Sequence, residues 1–285
     1  MHQIKTICVC GAGTMGMGIA QIAVQSGYRT ILFDLNKETL EKTAHAIHEN
    51  WASLAEKKKL SESALIECKT NLSFTSDINA CKADLIIEAI IEKLSAKVDL
   101  FRQLAELNPI NSIFVSNTSS ISINLLASKM EDPFRFAGMH FFNPATHMKL
   151  VELVRSNFSS DALIKLLQEL VTKMGKTAVI CNDSPGFIVN RVARHFYLES
   201  LLMLAKGETN VATIDAVLES TGFKMGPFKL MDLIGIDINY SVSNLVWEAL
   251  DQPIRLTPSV IQAEKIQQNE LGRKTGKGFY AYPKK

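Results

Sequence analysis

The chain has 285 residues, of which 47% are hydrophobic, and this is enough for one large or two ordinary globular domains. The formal net charge of +2 is nearly balanced, so the composition predicts neither a nucleic-acid partner nor a membrane-surface partner. No apolar run is long enough to predict a transmembrane helix, and five scattered cysteines favour a reducing compartment over a disulfide framework. We therefore expect a cytoplasmic protein.

The first predicted elements surround a glycine-rich turn. An apolar run over 4–10 predicts a strand, a helical pattern follows the turn, and a second apolar run over 29–34 ends at Asp34; the turn itself reads Gly11-Ala12-Gly13-Thr14-Met15-Gly16. Gly11 permits a tight turn, Gly13 leaves room for a pyrophosphate, and Gly16 allows the helix to pack closely on its strand. This order predicts a dinucleotide site at the helix N-terminus, with Thr14 and Met15 among its contacts.

Asp34 bears on the choice of dinucleotide. It follows the glycine turn by about 20 residues, the distance at which a carboxylate holds the ribose 2′-hydroxyl. A 2′-phosphate would meet a like charge there, so Asp34 favours NAD over NADP. The alternative is a structural glycine turn in another kind of α/β protein. Cys8 and Cys10 in the first strand are interpreted as small core residues, and no metal site is predicted.

The segment between the second and third predicted strands is unusually long for such a fold. Residues 36–69 have apolar side chains at helical spacing, which predicts a projecting helical hairpin. The hairpin carries the basic run Lys57-Lys58-Lys59. Two interpretations remain open for this run: a solvated helix end, or a contact with a phosphorylated ligand.

The remaining pattern divides the chain in two. Further strands are predicted at 70–75, 83–89, 112–117, 135–139, 149–154 and 176–181. In the first half they alternate with helices, which predicts a doubly wound, largely parallel α/β sheet of the Rossmann type. After the turn at 182–186, helices are predicted at 187–205, 209–221, 228–250 and 258–271. We therefore expect a dinucleotide-binding domain over 1–184 and an all-helical domain over 185–285.

Hydride transfer from an alcohol needs a proton acceptor near neutral pH, and histidine suits that role. Of six histidines, the candidates are His140, His147 and His195. His140 follows the predicted strand 135–139, at the sheet edge where ligands of open α/β folds bind. Glu152 in the next strand is placed to accept the other ring N–H and fix the tautomer. The alternative is a histidine with a purely structural role.

Two further polar groups are candidates for the same site. The segment Ser116-Asn117-Thr118-Ser119-Ser120 follows an apolar strand and brings four hydroxyls and an amide to the same edge. The alternative is a common strand-to-helix turn with Ser or Thr as the N-cap. Asn190 falls within the first helix of the second domain, where asparagine has modest helix propensity, so it is a candidate site residue as well.

Several motifs together closely resemble the 3-hydroxyacyl-CoA dehydrogenases along essentially the whole chain. They are GAGTMG, Ile87-Glu88-Ala89-Ile90-Ile91-Glu92, SNTSS, His140-Phe141-Phe142-Asn143-Pro144, the segment 183–191, Met225-Gly226-Pro227 and the segment 272–280. The resemblance implies oxidation of an L-3-hydroxyacyl-CoA to the 3-ketoacyl-CoA, coupled to NAD reduction, or the reverse reaction. It also implies that His140 is the acid/base residue with Glu152 as its partner, that Ser119 is the catalytic-site serine, and that Asn190 helps to hold the substrate.

The resemblance further implies binding residues and an oligomeric state. Besides the glycine turn and Asp34, the implied cofactor contacts are Ala89, Glu92, Lys97, Asn117, Ser119, Asn143 and Lys274. Implied contacts with the acyl-CoA are Ser119, Asn50 and Lys57, the last two lying seven residues apart on the hairpin. A homodimer formed through the helical C-terminal domain is also implied.

One part of the sequence affects the choice of substrate. Phe223-Lys224 precede Met225-Gly226-Pro227, the MGP motif, and Asp237-Ile238-Asn239 follows it. This pattern looks closer to 3-hydroxyadipyl-CoA dehydrogenases than to plain 3-hydroxybutyryl-CoA enzymes. Lys224 either pairs with a distal carboxylate or is simply exposed. Alternatives are a gulonate 3-dehydrogenase-like enzyme acting on a free sugar acid, and a non-catalytic, crystallin-like NAD-binding protein. The presence of Ser119, His140, Glu152 and Asn190 argues against the non-catalytic alternative.

Overall fold

The computed structural model describes residues 3–283, which form two compact units that meet in sequence between Asp183 and Ser184. The first unit contains the sheet and the second is helical. Within residues 3–283, no helix is both long and apolar enough to cross a membrane.

The first unit is built on one sheet of eight strands in the order β3-β2-β1-β4-β5-β6-β7-β8. The strands are β1 (Thr6–Cys10), β2 (Arg29–Phe33), β3 (Leu72–Thr75), β4 (Leu85–Glu88), β5 (Ile113–Ser116), β6 (Phe136–Phe141), β7 (Leu150–Arg155) and β8 (Thr177–Asn182). Each predicted strand is present, and the predicted Rossmann-type α/β fold is confirmed. Because parallel strands β1 to β6 end at one edge of the sheet, the residues that follow them lie near one another.

One strand pair departs from the parallel arrangement. β6 and β7 are antiparallel, whereas β7 and β8 are again parallel. The connection over 142–149 is too short for the helical crossover that a parallel pair requires, so the chain turns back beside β6. Its register sets His140 directly opposite Glu152.

Helices cover the sheet and form the insertion. They are α1 (Thr14–Gln25), α2 (Lys37–Glu56), α3 (Glu62–Asn71), α4 (Leu94–Leu107), α5 (Ile123–Ala127) and α6 (Asp161–Lys173). The insertion after β2 consists of α2 and α3, which begin at side-chain caps: Asn36 accepts the N–H of Thr39 and Ser61 accepts that of Ala64. Fully buried Trp51 on α2 belongs to the core cluster of the sheet, so the insertion packs on the first unit through α2.

The second unit contains α7 (Val189–Ala205), α8 (Val211–Ser220), α9 (Pro227–Ile234), α10 (Ile236–Glu248) and α11 (Val260–Gln267). The prediction of one helix over 228–250 is wrong, because Gly235 separates α9 from α10. Its φ of +105° lies in a region that side chains disfavour, and the next N–H, of Ile236, leaves the helical pattern to bond the carbonyl of Leu271 at 3.2 Å.

Two buried aspartates organise the second unit. Asp232 on α9 accepts the N–H groups of Phe279 and Tyr280, both at 2.9 Å, and the hydroxyl of Tyr282 at 3.0 Å. Burial, followed by this bond to the Asp232 carboxylate, raises the pKa of Tyr282 to about 12. The Gly-Phe-Tyr motif near the end of the chain is therefore held to α9 by one carboxylate.

The second aspartate, Asp215 on α8, explains the MGP motif. Its carboxylate accepts the N–H groups of Phe228 and Lys229 in the first turn of α9, at 2.9 and 3.1 Å, and the Tyr280 hydroxyl at 2.7 Å. A Cβ on Gly226 would overlap this carboxylate, so a glycine is required before the proline that starts α9.

We predict that Asp232→Asn lowers the free energy of unfolding by about 1–3 kcal/mol, because one amide NH₂ would face an N–H or O–H donor and leave it unpaired. Urea titration followed by circular dichroism measures the change. Glu248→Gln, the same carboxylate-to-amide exchange at an exposed position of α10, is the control and should change the stability little. Equal stability of Asp232→Asn and the native chain would contradict this role.

Candidate active site

A cavity of about 870 Å³ opens at the carboxyl edge of the parallel strands in the first unit. Six of the residues predicted to bind the cofactor line it, namely Gly11, Gly13, Thr14, Met15, Asp34 and Ala89, whereas Gly16 of the same turn does not. Its volume is within the range of roughly 300–1,000 Å³ that is typical of cofactor sites.

The glycine turn forms one wall of the cavity. Gly11 has φ of +107°, and a Cβ there would lie 2.5 Å from the carbonyl oxygen of Ala89. No atom lies within 4 Å of the Cβ position of Gly13, so the turn presents open space at the start of α1. A Cβ on Gly16 would overlap the carbonyl oxygen of Gly11, so the third glycine packs against the turn itself. The residues present fit a dinucleotide phosphate.

Asp34 is held in place at the end of β2. One carboxylate oxygen accepts the N–H of Ala12 at 2.8 Å, and the other accepts the N–H of Asn36 at 2.9 Å. The half-buried carboxylate is therefore fixed between the glycine turn and the start of α2, on the wall of the cavity.

Sequence reasoning missed other parts of the cavity wall. Ser76, Asp77 and Ile78 line it after the end of β3, while Asp99 and Gln103 line it from α4. The first three follow a predicted strand at the same edge as Asp34, and the last two are four residues apart on one helix face. Those two positional signals are available in the sequence.

His140 lies inside β6 and not beyond the strand, so the prediction that β6 ends at 139 is wrong. The strand continues to Phe141 because β7 pairs with it there. His140 Nδ1 lies 2.8 Å from Glu152 Oε2. Both residues are buried, with 6% of His140 and 0% of Glu152 exposed. A carboxylate only accepts hydrogen bonds, so this contact favours the tautomer in which Nδ1 donates to Glu152 and Nε2 is the acceptor.

The other histidines have different surroundings. His147 is exposed and its Nδ1 lies 3.0 Å from the Thr146 hydroxyl. His195 is exposed on α7 of the second unit, and His2 lies outside the described residues. Of these side chains, His140 is the one that the structure pairs with a buried carboxylate.

The segment 116–120 follows β5 and lies beside β6. Asn117 Oδ1 accepts the N–H of Phe141 at 2.8 Å, which ties the segment to the residue after His140. Half-buried Ser119 donates its N–H to Glu92 Oε1 at 3.2 Å. The structure therefore holds the Ser119 segment between the loop after β4 and the strand that carries His140.

Lys97 and the carboxylates of Glu88 and Glu92 form a cluster that contacts this segment. Lys97 is 1% exposed; its ammonium contacts Glu88 and also lies 3.1 Å from Glu92 Oε2. Burial raises the pKa of Glu88, and its contacts with Lys97 and Ser116 only partly offset that effect. Glu92 and Lys97 are not among the residues that line the cavity, so their role as direct cofactor contacts stays a prediction.

The remaining predicted contacts are placed separately. In the first unit, exposed Asn143 follows β6, and exposed Asn50 and Lys57 lie near the C-terminal end of α2. In the second unit, Asn190 lies in the first turn of α7 rather than in mid-helix, and its carbonyl accepts the Nε–H of Arg194 at 2.9 Å. The Lys274 ammonium bonds both Asp237 oxygens, at 2.6 and 2.7 Å, and its cofactor role stays a prediction.

Two family models together match nearly the whole chain. Residues 6–184 match the model described as 3-hydroxyacyl-CoA dehydrogenase, NAD binding domain, and residues 186–282 match the model described as 3-hydroxyacyl-CoA dehydrogenase, C-terminal domain.

Individual relatives agree with these models. A protein of Escherichia coli K12 named 3-hydroxyadipyl-CoA dehydrogenase is 42% identical over 98% of this chain, which spans 59% of that relative's length. A probable 3-hydroxybutyryl-CoA dehydrogenase of Deinococcus radiodurans is 37% identical, over 96% of this chain and 99% of the relative. The crystal structure of (S)-3-hydroxybutyryl-CoA dehydrogenase from Ralstonia eutropha has a TM-score of 0.94 at 33% identity, covering 99% of this chain and 100% of that one. The chain belongs to the 3-hydroxyacyl-CoA dehydrogenase family, and its first unit is an NAD-binding domain of that family.

Proposed function

We propose that the chain catalyses the reversible, NAD-dependent oxidation of an L-3-hydroxyacyl-CoA to the 3-ketoacyl-CoA. The observation that carries this proposal is the 2.8 Å bond between His140 Nδ1 and Glu152 Oε2 at the carboxyl edge of an NAD-binding sheet. The non-catalytic alternative does not require a buried carboxylate that fixes the tautomer of a histidine at this edge.

The acid–base step follows from this pair. Nε2 of neutral His140 accepts the proton of the C3 hydroxyl, and Glu152 keeps the ring oriented and stabilises the imidazolium that results. Bound NAD would be the acceptor for the hydride that leaves C3 with its electron pair. In the reverse direction His140 starts protonated and returns the proton to the C3 oxygen. We propose that Ser119 and Asn190 hold substrate oxygens during this step.

We propose that the cavity of the first unit holds NAD. The open space at Gly13 and the uncapped start of α1 suit the pyrophosphate, and Asp34 suits the ribose 2′-hydroxyl. The exposed positions of Asn50 on α2 and of Lys57 at its C-cap support their proposed contact with the coenzyme A portion of the substrate, where a lysine would meet a phosphate.

A dicarboxylic acyl group is the second substrate candidate. It is favoured by the likeness to the E. coli protein named 3-hydroxyadipyl-CoA dehydrogenase and by exposed Lys224, whose ammonium is accessible for a carboxylate. Assays with 3-hydroxybutyryl-CoA, 3-hydroxyadipyl-CoA and free L-gulonate, each with NAD and with NADP, separate these candidates. Activity with L-gulonate and with no acyl-CoA would overturn the proposal.

We also propose that two copies associate through the second unit. Large apolar side chains are exposed there, at Val192, Leu202, Val217, Phe223, Leu233, Ile234, Ile238, Ile254 and Val260. A contiguous patch of such side chains is typical of a surface that a partner covers. Sedimentation equilibrium tests this, and a monomer at micromolar concentration would contradict it.

A cytoplasmic location is proposed as well, supported by five unpaired cysteines, and cell fractionation tests it.

We predict that His140→Gln lowers kcat by about 10²–10⁴-fold, because the amide cannot take the hydroxyl proton. The reaction is measured by NADH absorbance, and NADH affinity, measured by fluorescence titration, should change little. His147→Gln, at an exposed position of the same unit, is the control. Native turnover in His140→Gln would exclude His140 as the base.

We predict that Asp34→Ser raises the ratio of kcat/KM with NADP to that with NAD by about tenfold or more, because removing a carboxylate beside the 2′-position is worth about 1.4 kcal/mol or more. The ratio is measured with one acyl-CoA substrate. Glu106→Gln removes an exposed carboxylate of α4 that does not line the cavity and should leave the ratio unchanged. An unchanged ratio in Asp34→Ser would remove Asp34 from cofactor selection.

A further inference from the structure

Thr118 directly precedes Ser119 and is 2% exposed. Its hydroxyl donates to Glu92 Oε1 and accepts the N–H groups of Ser120 and Ile121, at 3.2 and 2.8 Å. One side-chain oxygen therefore closes the turn over 118–121 and ties that turn to a carboxylate of another loop. Ser119 is the residue that this turn encloses.

Glu92 is engaged by the same turn. Besides the Thr118 hydroxyl, its Oε1 accepts the N–H of Ser119 at 3.2 Å and the hydroxyl of Ser120 at 2.7 Å, while Oε2 faces the Lys97 ammonium. Burial alone would raise the pKa of Glu92, but the Lys97 ammonium and the hydroxyl donors outweigh burial and lower it. An ionised carboxylate with donors on both oxygens is suited to hold the donor groups of this turn in place.

Lys97 connects this turn to the wall of the cofactor cavity. Its ammonium also contacts Glu88, the fully buried last residue of β4, and Glu88 accepts the Ser116 hydroxyl at 2.5 Å and the N–H of Ile90 at 2.8 Å. Ile90 lines the cavity. Hydrogen bonds and ion pairs thus run without interruption from the cavity wall to the Ser119 turn.

We propose that Thr118 is a positioning residue, which acts through Glu92 to hold Ser119 in the orientation required for the reaction. The inference rests on the proposed function, because Ser119 is a substrate-binding residue only if that function is correct. It also gives Glu92 a task that differs from the cofactor contact implied by the resemblance: Glu92 orders the turn that carries Ser119. Losing the Thr118 hydroxyl would loosen the turn. Neither Thr118 nor Glu92 lines the neighbouring cofactor cavity, so the substitution leaves the cavity lining unaltered.

The test compares Thr118→Val, which keeps the shape of the side chain but removes the hydroxyl, with Thr118→Ser, which keeps the hydroxyl. We expect Thr118→Val to lower kcat by about tenfold or more, as the loss of one charge-assisted hydrogen bond would. The dissociation constant for NADH should change much less than kcat does, since no residue that lines the cavity is altered, and Thr118→Ser should recover most of kcat. Thr172→Val on α6, where an exposed hydroxyl bonds within its own helix, is the control and should behave as the native chain.

A second measurement does not depend on activity. Amide hydrogen exchange at 119–121, followed without substrate, should be faster in Thr118→Val than in Thr118→Ser or the native chain. If Thr118→Val does not fold, Ser120→Ala removes another donor to Glu92 and should show the same pattern more weakly. A kcat in Thr118→Val close to the native value, a loss that Thr118→Ser does not restore, or unchanged exchange would overturn the proposal. Absence of acyl-CoA turnover in the native chain would instead overturn the proposed function.

Discussion

The hydrogen bond between His140 and Glu152 depends on the direction of one strand. Because 142–149 is too short for a helical crossover, β7 returns antiparallel to β6, and the register places the two side chains opposite each other on one face. The antiparallel pair β6–β7, next to the edge strand β8, thus brings the Glu152 carboxylate to His140, twelve positions away in sequence. The proposed acid–base chemistry needs this pairing, since the carboxylate fixes which ring nitrogen is the acceptor.

The first unit also buries charge, and it does so between the cavity at the carboxyl edge of the sheet and the Ser119 turn. Placing Lys97 and Glu88 at 1% and 0% exposure has a desolvation cost that only close partners can offset. The partners are the two carboxylates around Lys97 and the hydroxyl and N–H donors around Glu88. A cluster with this many fixed partners is rigid, which is what a site must be if the reacting atoms are to be held at a constant distance.

The second unit uses buried carboxylates for a different purpose. Asp215 binds the first turn of α9, and Asp232 binds the backbone of the Gly-Phe-Tyr segment, so motifs far apart in sequence are joined by two side chains. Tyr280 contacts both, donating its N–H to Asp232 and its hydroxyl to Asp215. Two of the motifs that resemble the family therefore have a structural explanation within this unit, apart from any contact with substrate.

Local pattern determined much of the architecture. Strand positions, the glycine turn with Asp34, the insertion after β2 and the change to helices near residue 183 all depend on periodicity, glycine or charge within a short window, and those features are written in the sequence. Tertiary structure decided the features that depend on residues outside any short segment of the sequence. The extension of β6 through His140 needs the pairing with β7, the break at Gly235 needs the carbonyl of Leu271, and the enclosure of Ser119 needs Glu92 from another loop. Each of these depends on a partner distant in sequence, and such partners become neighbours only when the chain folds.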